Sequence, residues 1–502
     1  MALPEFSRGY RQGDEIIPLI PSVIHYTSDR RSWIGNQVLV NGLYHSERTF
    51  RWMKRYISHR SPIKIRIDDR ELSHFDAGKD FLTSILTVAR EELSLQDEEI
   101  ALTVPVESYE HYENWLGEVA DAAGLPRFRL IDEPSAAALG YGAHILPGNV
   151  YLIFDFGGGT MHAAVVLIEA DQSAASGRRC RVLGKAGKDI GGASLDQWLF
   201  EEILKRTGHS DLDVEIRRVS NSLLVECEQV KEKLSFSDSA DLTVMNPDSG
   251  RLVTAEFTRN EFEEILDQHG LYTDIDRTIR SALNAARERG YAEESVKAVL
   301  MVGGSSQVPS VQRVLRQIFG KERVLHDRPM DAVVRGGAAF IAGVDFFDHI
   351  QHDYAIRYVN PQKGGYDYRL IVPRGTPYPT SAPVSRLSIK SSYDGQTQLG
   401  LAIFEMGEMR QPQSSAPLEL VFDPTGAVRL MQIAPDEQER RSLFWMNENN
   451  LTFLIVDPPA KQGEPCFEVE FNIDTNKRLL ITARDARSHR LVQSDFPVIK
   501  LT

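Results

Sequence analysis

Residues 151–166 read YLIFDFGGGTMHAAVV: an apolar run Tyr151–Phe154, the acid Asp155, Phe156, three glycines, Thr160, and a second apolar run closing at Val166. Two apolar runs folded back through a glycine turn predict a strand–turn–strand hairpin. Glycines carry no Cβ, so the N–H groups of such a turn can approach something bulky and anionic. The hairpin therefore predicts an anion-binding loop at the end of a buried strand.

Two further glycine turns follow apolar strands, DIGGAS (189–194) and VGGSS (302–306). One such turn merely reverses the chain. Three in one region point to loops converging on a single polyanionic ligand. The spacing G-x-x-x-x-G-K-[ST] is absent. Around the turns, PIKIRI and EIALTVPV read as strands, and DAGKDFLTSILTVAREELS and YEHYENWLGEVADAAGL as helices. FRLIDEPSAAALGYGAH is a strand entering a small-residue helix, matched later by DAVVRGGAAFIAGV. From about 196 to 290 the periodicity is long and helical, and strands alternating with helices predict mixed α/β architecture. Beyond residue 345 the pattern changes to short alternating strands with Gly, Pro, Asn and Asp turns, predicting an antiparallel β-domain. No recognisable strand precedes residue 20.

Composition narrows the function. The 502 residues carry 57 Lys+Arg against 71 Asp+Glu, a net charge of −14. No global positive field exists to attract phosphates, which argues against a general nucleic-acid or anionic-membrane partner. Cys180, Cys227 and Cys466 are odd in number and far apart, so neither a disulfide framework nor a zinc-finger pattern is indicated. No apolar run approaches the ~20 residues a spanning helix needs. The first residues lack the apolar core of a signal peptide, so a cytoplasmic protein is expected.

The order of the motifs is specific. LIFDFGGGTMHAAVV, LIDEPSAAALGYG, GKDIGGASLDQWLF, VECEQVKEKLSFS and VLMVGGSSQVPSVQRVLRQIFG together resemble the seventy-kilodalton heat-shock chaperone family (heat shock protein 70 family). The segments EIIPLIPSVIHYTSDRRSWIGNQV and TFRWMKRYIS are similar to its first lobe, and LIVPRGTPYPTSAPVSRLSIKSSYDGQTQLGLAIFEMGE and FEVEFNIDTNKRLLITARD to its peptide-binding sandwich. The resemblance covers nearly the whole chain. It implies an α/β actin-like ATPase fold, two-lobed and ribonuclease-H-like, followed by an all-β antiparallel sandwich. The implied division is a nucleotide-binding domain 1–345 (lobe I about 1–147 and 318–345, lobe II about 148–317), a linker 346–356, and a β-sandwich 357–502. The implied cofactors are ATP/ADP and Mg²⁺. The implied partners are unfolded or extended polypeptides, with co-chaperones or a nucleotide-exchange partner.

Carried over by position, the resemblance implies that Asp155 holds Mg²⁺ through water, while the amides of Gly157, Gly158 and Gly159 with the Thr160 hydroxyl hold phosphate. Lys54 would place a positive charge beside the γ-phosphate and the attacking water, and Glu133 would orient that water. Pro105 would couple the site to lobe movement. Glu228, Lys231 and Ser235, spaced three and four apart on one helix face, would contact the nucleoside. Gly303 and Gly304 would border base and ribose, with Gly191, Gly192 and Ser305 completing the nucleotide-binding set. A peptide site is expected on QTQLGLAIF, where Leu399, Leu401 and Ile403 alternate, and at the loop of Gly364 and Gly365. The three apolar residues are equally well read as sandwich core.

The chain also departs from the family's pattern. The first phosphate loop is missing from its opening, and the helical lid from its end. His162 stands in place of a second acid, Glu232 in place of an adenine-stacking arginine, Gln307 in place of a basic residue, and Met330 in place of an acid. These departures predict nucleotide binding with weak hydrolysis. The rival readings are a nucleotide-sensing or nucleotide-independent binding module without ATPase activity, and a metabolite kinase of the same superfold.

Overall fold

The computed structural model describes residues 3–95, 98–105, 110–125, 127–142, 146–170, 178–343, 345–347, 349–350, 352–360, 365–407, 418–432, 442–448, 451–474 and 477–501. The chain divides into two compact units. Unit 1 comprises Met1–Val106, Asn114–Phe347 and Pro417–Gln432; unit 2 comprises Glu107–Glu113, Asp348–Ala416 and Ile433–Thr502.

Unit 1 is mixed α/β. Its largest sheet has six strands in the order Val324–Leu325, Val296–Val302, Val150–Phe156, Met161–Ala170, Arg178–Lys188, Asp345–Phe347. Val150–Phe156 runs parallel to Val296–Val302 and antiparallel to Met161–Ala170. All seven of its residues are buried, which is why it reads as a continuous apolar run rather than an alternating one. The helices Glu133–Gly140 and Ala332–Ile341 cross so closely that a Cβ added to Gly336 would lie 1.6 Å from the Ala136 carbonyl oxygen. One added at Gly140 would lie 1.7 Å from that of Ala332. Small residues are what this crossing requires, and both sequences supply them.

Helix starts follow capping chemistry. Ser73 and Asp76 form a capping box at His74–Leu93, and Thr258 and Glu261 form one at Arg259–Gln268. Three local features differ from the sequence reading. A hairpin does stand at the start, Arg8–Gln12 against Glu15–Leu19, turned at Gly13 with φ +59°. Its strands are mostly exposed, so the apolar alternation that would mark them is weak. A second hairpin, Ser239–Met245 with Leu252–Thr258, interrupts the helical region. The long helix expected near 260–290 breaks at Gly270, whose φ of +75° a helix does not accommodate.

In unit 2, four-stranded sheets run Gly365–Val372, Asp353–Asn360, Ile403–Met406, Leu443–Trp445 and Ser385–Lys390, Pro465–Ile473, Arg478–Asp485, Leu491–Lys500. Gln396–Leu401 pairs with Thr452–Ala460. A buried cluster including Tyr354, Leu401, Phe467 and Ile481 forms its core.

The remaining hairpin, Leu418–Phe422 with Val428–Gln432, is flanked in sequence by unit 2 but packs within unit 1. Phe422 faces the rings of Trp52, Tyr56 and His74 at 6.2, 5.9 and 5.8 Å. Tyr56 Oη donates to the Leu420 carbonyl at 2.9 Å, and Ser220 Oγ accepts from the Val428 amide at 3.0 Å. Among the described residues, no helix is long and apolar enough to cross a membrane.

Candidate functional site

Asp155 and His162 are cross-strand partners at the mouth of the glycine hairpin. The Gly157 amide donates to the Thr160 carbonyl at 3.1 Å, closing the turn. Gly158 is exposed, and a Cβ added there would meet nothing within 4 Å, so the turn borders open space. The DIGGAS turn lies directly against it: the Gly192 and Ala193 amides donate to the carbonyls of Gly157 and Gly158 at 3.0 and 2.8 Å. A Cβ on Gly191 would lie 2.4 Å from the Gly159 carbonyl carbon. The third turn closes the other side. Gly303 has φ +84°, a Cβ on it would lie 2.4 Å from the Phe156 oxygen, and Ser305 Oγ donates to the Gly157 carbonyl at 2.9 Å. The helix Gly192–Thr207 starts at this point, bringing the positive end of its dipole to the cluster. Three turns distant in sequence form one backbone cradle.

Charged groups stand beside it. Glu133 opens the helix Glu133–Gly140, and Asp132 caps that helix by accepting from the Ser135 amide at 2.9 Å. Asp132 is anchored by the buried Lys185 at 2.5 Å. Lys54, from the short helix Met53–Ser58, forms an ion pair with Glu133. Burial and the neighbouring Glu133 push the Asp155 carboxyl up to about 7, against the pull of Lys54. Burial also raises Glu133, but Lys54 brings it net below its ordinary value. Glu133 is the ionised member of the pair and Asp155 the one that takes a proton. Burial lowers His162 to about 4, leaving its imidazole neutral at pH 7.

The family model described as Hsp70 protein matches residues 13–416. The chain belongs to the Hsp70 family. It is 28% identical over 505 residues to the proteins named Chaperone protein DnaK of Thermotoga petrophila and Thermotoga maritima, covering 94% of this chain and 75% of each relative. The DnaK of Thermotoga neapolitana gives the same identity and coverage. An Hsp70 has an actin-like N-terminal ATPase domain followed by a β-sandwich, and the family in general binds ATP or ADP with Mg²⁺.

In this Hsp70-family chain, Lys54, Glu133, Asp155, Thr160 and the glycines of all three turns come together. Glu228, Lys231 and Ser235 lie on the helix Val214–Phe236, each already engaged by protein. Tyr44 Oη donates to Glu228 at 2.6 Å, Lys231 Nζ pairs with buried Asp196 at 2.8 Å and donates to the Gly192 carbonyl at 3.2 Å, and Ser235 Oγ donates to the Lys231 carbonyl at 3.1 Å. Sequence reading missed Asp196 and Tyr44. Asp196 sits four residues after Gly192 in the helix that begins there, a spacing visible only once that start is known; Tyr44 leaves no signal. Two departures acquire partners from the N-terminal hairpin. Tyr10 Oη donates to Gln307 Oε1 at 2.8 Å, while Gln12 donates to Asp331 at 2.9 Å and accepts from the Met330 amide at 3.1 Å.

Leu399, Leu401 and Ile403 are all buried in the unit 2 core, Leu401 and Ile403 completely. Gly365 begins the exposed edge strand Gly365–Val372, and Gly364 lies outside the described residues.

A further charged cluster joins the DIGGAS turn to the 418–432 hairpin. His59 Nε2 lies 3.3 Å from Asp189 and Nδ1 3.6 Å from Glu419. Burial and Arg55 lower the imidazole's affinity for a proton, but Asp189 and Glu419 outweigh them and hold His59 net above 6.5. A raised folded-state value stabilises fully below the unfolded value of 6.5 and is lost as pH rises through the folded one. Melting temperature is therefore expected to fall on the alkaline side of this window, and His59→Gln to flatten that dependence. Identical pH profiles for both proteins would remove His59 from the account.

Proposed function

We propose that this chain is a chaperone that binds ATP or ADP at the three-turn cradle and extended apolar polypeptide on its β-sandwich, with slow hydrolysis. The proposed division is 1–345 for nucleotide, with lobe I about 1–147 and 318–345 and lobe II about 148–317, then a linker at 346–356 and the sandwich at 357–502, from which residues 417–432 depart to pack in unit 1. The observation that carries the reading is the convergence of residues 157–160, 191–192 and 303–305 beside the Lys54–Glu133 pair. Backbone amides and a helix N-terminus suit phosphate oxygens.

Lys54 supplies positive charge to the transferring phosphoryl group, and Glu133, held by Lys54, orients a water for in-line attack. The Glu133 and Asp155 carboxylates suit Mg²⁺, whereas a buried imidazole does not, so the donor set fits that ion only in part. For polypeptide, the edge strand from Gly365, with exposed Tyr366 and Leu370, offers backbone groups for strand addition.

Calorimetric titration of ATP and ADP with Mg²⁺ into the full chain, beside a single-turnover assay, tests the reading. Micromolar affinity with slow turnover is expected. Lys54→Ala is expected to abolish that turnover while leaving affinity within about tenfold, because Lys54 acts on the transferring group. Absence of nucleotide binding would overturn the proposal, and undiminished turnover in Lys54→Ala would remove Lys54 from it.

A further inference from the structure

His162 is fully buried in a strand whose other buried residues are apolar, and neither ring nitrogen has a hydrogen-bond partner. Leaving a buried polar group unpaired costs about 1–3 kcal/mol, which an apolar residue at this position would avoid. The imidazole is not alone. Donor atoms of Glu133, Asp155 and His162 all lie within 4.8 Å of one another. Asp155 and His162 are held in register by the sheet, and Glu133 by the first turn of a capped helix, so three donors converge from rigid elements. Two carboxylate oxygens and one neutral imidazole nitrogen suit borderline divalent ions from Mn²⁺ to Zn²⁺, whereas Mg²⁺ takes oxygen ligands and retains water.

We propose that His162, Asp155 and Glu133 form a direct-coordination site for a divalent transition-metal ion, with its remaining positions open toward the glycine turn. Three protein ligands and open positions are the pattern of a site that also takes water or a ligand oxygen. Lys54 is the competitor, since it already neutralises Glu133. Its side chain is 41% exposed, so it has room to withdraw into solvent when the ion enters. The proposal does not rest on nucleotide binding, and its test uses none.

The full chain is stripped with a chelator and titrated with Co²⁺ in the absence of nucleotide, read by calorimetry and by visible absorption. One equivalent is expected to bind with ligand-field bands, at least about 100-fold more tightly than Mg²⁺. His162→Leu, close in volume, removes no protein hydrogen bond and is expected to fold as the wild type does while weakening Co²⁺ on the order of 100-fold. Asp155→Asn, nearly isosteric, checks the same loss from a second ligand, and Lys54→Met is expected to tighten binding. Either no Co²⁺ uptake by the wild type, or unchanged affinity and spectrum in folded His162→Leu and Asp155→Asn, would overturn the site.

Discussion

Gly336→Ala is expected to lower the unfolding free energy by about 3 kcal/mol, although alanine is the better helix former by about 1 kcal/mol. The added methyl would sit 1.6 Å from the Ala136 carbonyl oxygen and 2.4 Å from its carbon. Both are backbone atoms, so no rotamer change relieves the overlap; the two helices must part. Separation also strains the reciprocal contact, where Gly140 meets Ala332. For a domain with ~5–15 kcal/mol of stability, the loss is a large fraction of the whole. Urea unfolding of the variant and wild type measures it. A variant as stable as the wild type would mean the crossing has slack that the geometry denies.

Gly191→Val is the second large effect, and it falls on binding. Its Cβ would lie 2.4–2.6 Å from backbone atoms of Gly158 and Gly159, within the turn assigned to phosphate. Moving that turn breaks the alignment of several N–H donors at once. Each charge-assisted hydrogen bond is worth about 1.5–3 kcal/mol, so the loss of two lowers nucleotide affinity by about 100-fold or more. The disturbed atoms lie in a loop outside the helices and strands, so far-ultraviolet circular dichroism should match that of the wild type. Nucleotide affinity within threefold of wild type (roughly 0.7 kcal/mol by the usual conversion) would sink the assignment of residues 157–159 to phosphate.

The sequence was most legible where burial imposes a period. Val150–Phe156 declares itself by an apolar run broken only at Asp155, and the helix His74–Leu93 by the helical spacing of its apolar residues. Glycine turns were equally readable as loops, and their clustering followed from their number. Pairings that depend on tertiary placement were not readable. Tyr44 meets Glu228 across 184 positions, and Tyr10 meets Gln307 across 297, with nothing local to mark either. His162 was visible as a departure from a motif. Its meaning was not, because only the fold shows both ring nitrogens buried without partners next to two carboxylates.

The 418–432 hairpin bears on modularity. Unit 1 is not a contiguous stretch of the chain: residues 417–432 return to it after the chain has already entered unit 2 at Asp348. A break at 347/348 therefore yields a fragment whose seats for Phe422 and Val428, both buried in the whole protein, lie empty. The other fragment carries those apolar side chains with their partners removed. Recombination that exchanged the C-terminal region as a cassette would import a foreign hairpin into the floor formed by Trp52, Tyr56, Ser220 and Asn221. A stretch of sixteen residues, 417–432, thus ties the packing of unit 1 to chain that lies beyond the start of unit 2.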